Sequence, residues 1–203
     1  MITKRVFRPV LVVALIVFLF SLTTTGFAQE RRHDLSFQFG VLSPDQWLDI
    51  FGNLGLVIIT LGNFYKDNMQ FSGLPFLTYH YSANSRFGFG GAVGYYGSWG
   101  DLVRDGGDLV IGDFHERNYT LAAELDYRWI MRPGFQVYSG AGFGIRIRRG
   151  RYTDEDETST KTFAIPSFHL NALGVRFGKK IGFFFEAGVG YKGMLSAGIN
   201  GQF

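Results

Sequence analysis

Apolar and polar residues alternate with a period of two along most of the chain from Asp34 onward. Such alternation is typical of β-strands that present one apolar and one polar face. In the clearest run, 121–129, the residues Leu, Ala, Leu, Tyr and Trp alternate with Ala, Glu, Asp and Arg. Six segments follow this pattern closely and are each predicted to be a strand: 35–41, 87–95, 120–129, 135–148, 181–191 and 195–203.

Two further segments alternate less regularly. The segment 71–82 is interrupted by Pro75, and the segment 162–178 changes phase near Pro166. A phase change at a proline suggests a β-bulge at that residue. With these two segments the pattern predicts an all-β fold of eight strands.

The connections between the predicted strands are short and long in turn. Short turns are expected at 83–86, 131–134 and 178–180, and longer polar connections at 43–70, 100–114 and 150–161. The connection at Lys192 is short but falls in the long series. This alternation is the pattern of an antiparallel transmembrane barrel of the outer membrane, with short periplasmic turns and longer outward loops.

The first long connection leaves two interpretations open. Residues 45–51 could form one or two helical turns, since Ser43 or Asp45 could cap a helix and Pro44 suits its start. Residues 55–61 are apolar and β-branched, which fits either an extra strand or a segment that covers the mouth of the barrel.

Residue types indicate which face of the barrel points inward, because alternation alone also fits a water-soluble barrel. The polar face consists mostly of Gly, Ser, Ala, Asn and Gln, which suit the narrow interior of an eight-stranded barrel. The apolar face is therefore predicted to meet lipid, with aromatic residues at headgroup depth. The aromatic residues assigned to that face are Tyr95, Trp99, Tyr119, Tyr127, Trp129 and Tyr191.

Residues 1–28 have the three parts of a secretory signal peptide. Lys4, Arg5 and Arg8 precede an apolar run at 10–22, and small residues lead to a cleavage site after Ala28. The apolar run is shorter than the roughly 20 residues that a membrane-spanning helix needs. The mature chain is then one barrel domain, 29–203, delivered to the cell outer membrane.

Composition narrows the classes of function. The signal peptide carries three of the 20 basic residues and none of the 17 acidic ones, so the mature chain is formally neutral. Nucleic acid is therefore not expected as a partner. The absence of cysteine excludes disulfides and thiolate zinc sites, and we expect no metal and no cofactor. The 22 Phe and 10 Tyr residues exclude a disordered chain.

The final strand has the features of a barrel-assembly signal. Leu195, Ala197, Ile199 and Phe203 share the outward register and the chain ends on the aromatic residue. In these features the chain resembles the small outer-membrane β-barrel proteins of Gram-negative bacteria, including OmpA-type membrane domains. The resemblance implies recognition by the barrel-assembly machinery, contact with outer-membrane lipid and lipopolysaccharide, and a monomeric barrel without enzymatic activity.

One motif suggests an enzyme instead. The stretch His80, Ser82 and Asn84 resembles the His-x-Ser-Asn motif of outer-membrane lipid A deacylases, in which a His base activates a Ser nucleophile. Here Asn84 is displaced by one residue, no acidic residue follows before Asp101, and the motif precedes the first periplasmic turn. We therefore expect a histidine beside an Asx-type turn, and keep a lipid A-modifying hydrolase as the alternative.

Charged residues of both signs fall in the inward register of neighbouring strands and are expected to pair there, because unpaired buried charge is costly. Arg176 joins this set if the bulge resets its face, and a small pore is the alternative role. The acidic run 154–157 lacks calcium-loop spacing and is expected to be a solvated loop. The predicted function is a structural, adhesive or ligand-binding role through the outward loops. The predicted lumen charge network consists of Glu124, Asp126, Arg128, Arg146, Arg148 and Glu186.

Overall fold

A computed structural model of the protein describes residues 32–42, 64–84, 86–104, 110–154 and 158–203. The predicted signal peptide, the predicted helical turns at 45–51 and the apolar segment 55–61 lie outside these residues. So does most of the acidic run 154–157. The described residues contain no helix that is long and apolar enough to cross a membrane.

The described chain forms a single antiparallel sheet that closes on itself. Its strands follow the ring order β1, β3, β4, β5, β6, β7, β8, β9 and back to β1, while β2 pairs with β4. The strand bounds are β1 His33–Val41, β2 Phe64–Phe71, β3 Leu74–Ser82, β4 Phe87–Arg104, β5 Val110–Arg132, β6 Phe135–Asp154, β7 Thr158–Gly178, β8 Ile181–Gly190 and β9 Leu195–Gln202.

The ring has eight positions although the described chain has nine strands. β2 and β3 lie end to end on the same edge of β4, since β2 pairs with residues 98–104 and β3 with residues 88–94. Gly73, with a φ of 75°, stands between them and allows the turn that separates the two strands. The predicted eight-stranded antiparallel barrel is thus confirmed. The predicted long connection 43–70 was wrong at its end, where β2 begins.

The longest strands are more than twice the length of most of the others. β1, β8 and β9 have 9, 10 and 8 residues, whereas β5, β6 and β7 have 23, 20 and 21. The long connections predicted at 100–114 and 150–161 were therefore largely wrong, because strand pairing continues through most of both. The short turns were predicted correctly, and both ends of the barrel chain lie at that end, which we call the short-turn end.

The bulge in β7 lies further along the strand than predicted. Pro166 pairs in register with Ile145, and the register shifts between Asn171 and Leu173 instead. A proline on a strand lacks one donor but need not interrupt pairing if that position faces an unpaired edge. Beyond the shift, Arg176 faces the barrel interior and is buried.

The outer face of the barrel is apolar and exposed. Large hydrophobic side chains project outward from every strand of the ring, among them Leu121, Phe143 and Ile181 with 66%, 68% and 75% of their surface exposed. Polar and charged side chains are buried on the inner face. This is the reverse of a water-soluble barrel, in which exposed apolar patches of this extent are rare.

Glycines on the inner face make room for large side chains of the lumen. A Cβ at Gly94 would lie 2.1 Å from the Phe76 ring, and one at Gly174 would lie 2.4 Å from the Tyr138 ring. Glycines therefore pack against aromatic rings inside the barrel, in addition to the division of the two residue types between its inner and outer faces.

Candidate functional site

A cluster of charged side chains fills the middle of the lumen. Glu124 on β5, 6% exposed, accepts hydrogen bonds from Tyr191 Oη at 2.6 Å and from Lys192 Nζ at 2.8 Å. His80 on β3 lies between two carboxylates, with Nε2 3.0 Å from Glu124 Oε2 and Nδ1 2.9 Å from Asp126 Oδ1. Arg128 Nε lies 3.4 Å from Asp126 Oδ2. We call these six residues the lumen cluster.

If His80 is protonated, the lumen cluster contains three cationic side chains and two carboxylates. A protonated imidazole donates from both nitrogens, and both nitrogens of His80 face carboxylate oxygens. Buried charges stabilise a fold only when they are paired and hydrogen-bonded. The cluster meets this condition for Glu124, whose three partners lie on β3 and on the turn between β8 and β9.

Tyr191 and Lys192 reach the lumen cluster because the turn between β8 and β9 folds into the barrel. Gly40 on β1 allows this approach, since a Cβ there would lie 1.8 Å from the Lys192 carbonyl oxygen. Met194 N donates to Val41 O at 2.9 Å and ties the end of the turn to β1. The assignment of Tyr191 to the outer face was wrong, because its ring packs beside Phe76 inside the barrel.

His80 and Ser82 both lie on the inner face of β3. Both ring nitrogens of His80 are engaged by carboxylates, and Asn84 Oδ1 accepts from the backbone N–H groups of Arg86 and Phe87 at 2.8 Å, which forms the expected Asx-type turn. An acyl chain would have to enter the lumen to reach Ser82. The two spaces beside His80 have volumes of about 40 and 20 Å³, enough for one or two water molecules.

The other residues of the predicted charge network fall into separate groups. Arg148 on β6 contacts Glu116 on β5, further from the short-turn end, and Arg146 is half-buried between that pair and the lumen cluster. Glu186 accepts from Tyr138 Oη at 3.0 Å and from Gln38 Nε2 at 3.2 Å. The structure thus brings Glu124, Asp126 and Arg128 together. Glu186 lines the same small spaces as the lumen cluster, whereas Arg146 and Arg148 lie further from the short-turn end.

A third polar group closes the lumen at the short-turn end. Arg176 Nε donates to Asn200 Oδ1 at 2.8 Å, and Asn200 and Gln202 donate to the Asp34 carboxylate. Sequence reasoning did not identify Asp34, His80, Glu116, Tyr138 or Lys192 as members of these groups. Even spacing within a predicted strand was the available signal for His80 and Tyr138. Asp34 and Glu116 lie outside the predicted strand bounds, and Lys192 belongs to a turn.

At the end opposite the short turns, the long strands continue past the rest of the barrel as an open sheet. It consists of β2 with residues 98–104 of β4, 110–118 of β5, 148–154 of β6 and 158–168 of β7. We call this the protruding sheet. The inner face of its β5 segment is buried, with Ile111, Phe114 and Glu116 at most 3% exposed, whereas the outward side chains of β5 and β6 in this sheet are mostly polar and exposed.

Residues 158–168 of β7 form an edge of the protruding sheet. β8 pairs with β7 only from His169 onward, and no described residue pairs with the preceding part on that side. The Phe168 carbonyl accepts from Tyr191 N on the β8 side, so the backbone groups of Pro166, Ala164, Thr162 and Thr160 point to the same side. Pro166 lacks an N–H and stands where the edge begins, a position that suits proline.

The residues of the predicted assembly signal lie on the outer face of β9. Leu195 and Ile199 are exposed at 54% and 50%, and Ala197 is exposed between them. Phe203 is the exposed last residue of the chain.

These features define an all-β protein with a closed antiparallel barrel of eight positions, an apolar outer face and a lumen filled by paired charges and aromatic rings. No protein-family model matches the chain, and no curated protein sequence matches it. Among solved structures it is similar to Ail, the attachment invasion locus protein of Yersinia pestis, with 11% sequence identity and a TM-score of 0.41. That alignment covers 84% of this chain and 95% of the other.

Proposed function

We propose that this protein is a monomeric outer-membrane β-barrel that anchors an adhesive sheet at the cell surface. The apolar outer face supports a lipid environment, because large exposed side chains surround the ring. The 9 and 10 residues of β1 and β8 match the about 9–11 residues that a tilted strand needs to cross a membrane. The ring closes within one chain, so in a monomer every strand of the ring is paired on both sides in the part of the barrel proposed to cross the membrane.

The orientation follows from the two ends of the barrel. The short turns suit the periplasmic side, and the protruding sheet would then extend outside the cell. Secretion through a cleaved signal peptide at 1–28 and recognition of β9 by the barrel-assembly machinery remain part of this proposal. An OmpA-type relationship is proposed on the same grounds.

The observation that carries the adhesive role is the unpaired edge of β7. An edge strand presents a row of N–H and C=O groups that can pair with an extended segment of another protein. Thr and Ser dominate residues 158–162, and Lys161 is the one charged side chain among them. An extracellular protein that contributes one extended strand is therefore the partner we propose.

Removal of the edge donors is expected to abolish adhesion. The variant T160P/T162P removes two N–H groups that point away from β6, so the β6–β7 ladder keeps its own hydrogen bonds. Cells that carry the protein should adhere to a panel of immobilised extracellular proteins several-fold better than cells that carry this variant, because strand addition depends on these donors. Counts of adherent cells give the measurement.

The control variant T160V/T162V changes the same side chains and leaves the backbone donors in place. It should adhere like the wild type. Equal adhesion of the proline variant and the wild type would exclude strand addition at this edge. Concentration-dependent oligomers of the wild type, lost in the proline variant, would instead identify a second copy as the occupant.

The barrel is expected to conduct no ions. The pore alternative requires a continuous water path, whereas the spaces around the lumen cluster hold one or two waters and aromatic rings pack beside it. Planar-bilayer recordings of the purified protein should show no channel events above those of protein-free membranes. Discrete conductance steps that disappear with a lumen substitution would contradict this.

A further inference from the structure

The outward face of the long strands changes character in successive rows toward the protruding sheet. Tyr95 on β4 and Tyr119 on β5 lie opposite each other, with ring centroids 5.5 Å apart, at the edge of the apolar surface nearest the protruding sheet. In the next row, Arg117 on β5 lies directly opposite Arg149 on β6. In the row beyond, His115 lies opposite Arg151. Cationic side chains thus stand immediately above the tyrosine row.

Two arginines directly opposite each other on neighbouring strands repel and weaken the ladder unless an anion lies between them. The Arg117, Arg149 and Arg151 side chains are all exposed. Within the described residues none of the three forms an ion pair. Neighbouring strands are about 4.8 Å apart, and successive outward rows along a strand are about 7 Å apart. The three guanidinium groups are therefore close enough together to contact one or two phosphate groups.

We infer that Arg117, Arg149 and Arg151 form a binding site for the phosphate groups of an outer-leaflet glycolipid such as lipid A. This inference rests on the proposed membrane location, which puts tyrosines at headgroup depth and the next row at the depth of the phosphates. Guanidinium groups bind phosphate oxygens through paired, charge-assisted hydrogen bonds. The adjacent apolar wall, with Leu121 and Ile145 below the tyrosine row, would contact the acyl chains of the same molecule.

The site belongs to one side of the barrel. Among the described residues, the outward side chains nearest the same end on the opposite side are Val41, Val189, Met194 and Leu195, and none of them is charged. A lipid bound through its phosphates would therefore occupy a defined position beside β5 and β6. A general attraction between a basic rim and the membrane would require cations around the whole circumference.

Native mass spectrometry of the full mature chain in maltoside micelles tests this inference. Lipid A with its phosphates is expected to bind at least about tenfold more tightly than the same lipid with the phosphates removed, a difference of about 1.4 kcal/mol. The variant R117Q/R149Q/R151Q should lose that difference. Inorganic phosphate alone should neither bind detectably nor displace the lipid, because it lacks the acyl chains.

The matched control removes three exposed cations at the short-turn end, R132Q/K179Q/K180Q, and should bind like the wild type. Different gel mobility of boiled and unboiled samples verifies that each variant has a folded barrel. The inference is overturned if the arginine variant binds like the wild type, if dephosphorylated lipid binds equally well, or if inorganic phosphate competes fully. A wild-type chain that fails to insert into phosphatidylcholine vesicles would instead count against the proposed membrane location.

Discussion

Replacement of Glu124 by glutamine is expected to lower the free energy of unfolding by about 3–5 kcal/mol. The carboxylate contacts Lys192, His80 and Tyr191, and the first of these is 4% exposed. The amide keeps the shape of the side chain but removes its charge, so the Lys192 ammonium is left buried without its nearest anion. Urea unfolding of the refolded barrel in lipid vesicles, followed by tryptophan fluorescence, gives the free energy.

Two further variants separate pairing from a general effect of charge removal. Asp113→Asn removes a carboxylate that is 54% exposed on the protruding sheet, and should change stability by less than about 0.5 kcal/mol. The double variant E124Q/K192M removes both charges and should recover a large part of the loss, because the unpaired cation is gone. A Glu124→Gln barrel as stable as the wild type would show that the lumen cluster contributes no net stability.

Replacement of Phe143 by arginine is expected to cost about 2–4 kcal/mol in lipid vesicles. Phe143 lies on the outer face of β6 between Ala123 and Phe168, well inside the apolar surface. At that depth an arginine side chain must either enter hydrocarbon or draw water and headgroups toward it. The cost is again measured as the change in the free energy of unfolding in urea.

The control for this prediction lies on the same strand. Thr153 has the same outward register on β6 but belongs to the protruding sheet, where Thr153→Arg should cost at most about 1 kcal/mol. Equal, small costs at both positions would mean that the two parts of β6 meet the same solvent. The outer face would then be wetted by water, and the proposed membrane location would fail.

The barrel and its two faces were predictable because each ring strand has a different environment on each side. Glu124 and Leu125, or Asp126 and Tyr127, differ in polarity because they face different surroundings, so the sequence alternates with a period of two. The three short turns were predictable for a related reason, since Gly, Pro and Asn interrupt that period at each of them.

The protruding sheet was not predictable in the same way. The buried face of residues 110–118 combines Ile111 and Phe114 with the polar Glu116 and Asn118, so burial does not produce a clear alternation of apolar and polar residues. Residues 148–154 are mostly polar on both faces, and their composition resembles that of a loop. Their strand structure depends on pairing with a neighbour far along the chain. The cationic rows likewise form only because the register places Arg117 opposite Arg149.

By itself, then, the sequence determined the all-β class, the inward and outward register and the short-turn end, because these depend on local periodicity and turn chemistry. Tertiary structure alone decided that β2 and β3 share one position in the ring, that some strands are more than twice as long as others, and which charges meet. Lys192 shows the reason. It belongs to a turn that enters the lumen because β8 and β9 end closer to the short-turn end than the long strands do. Where each strand ends along the barrel axis depends on the closed ring as a whole.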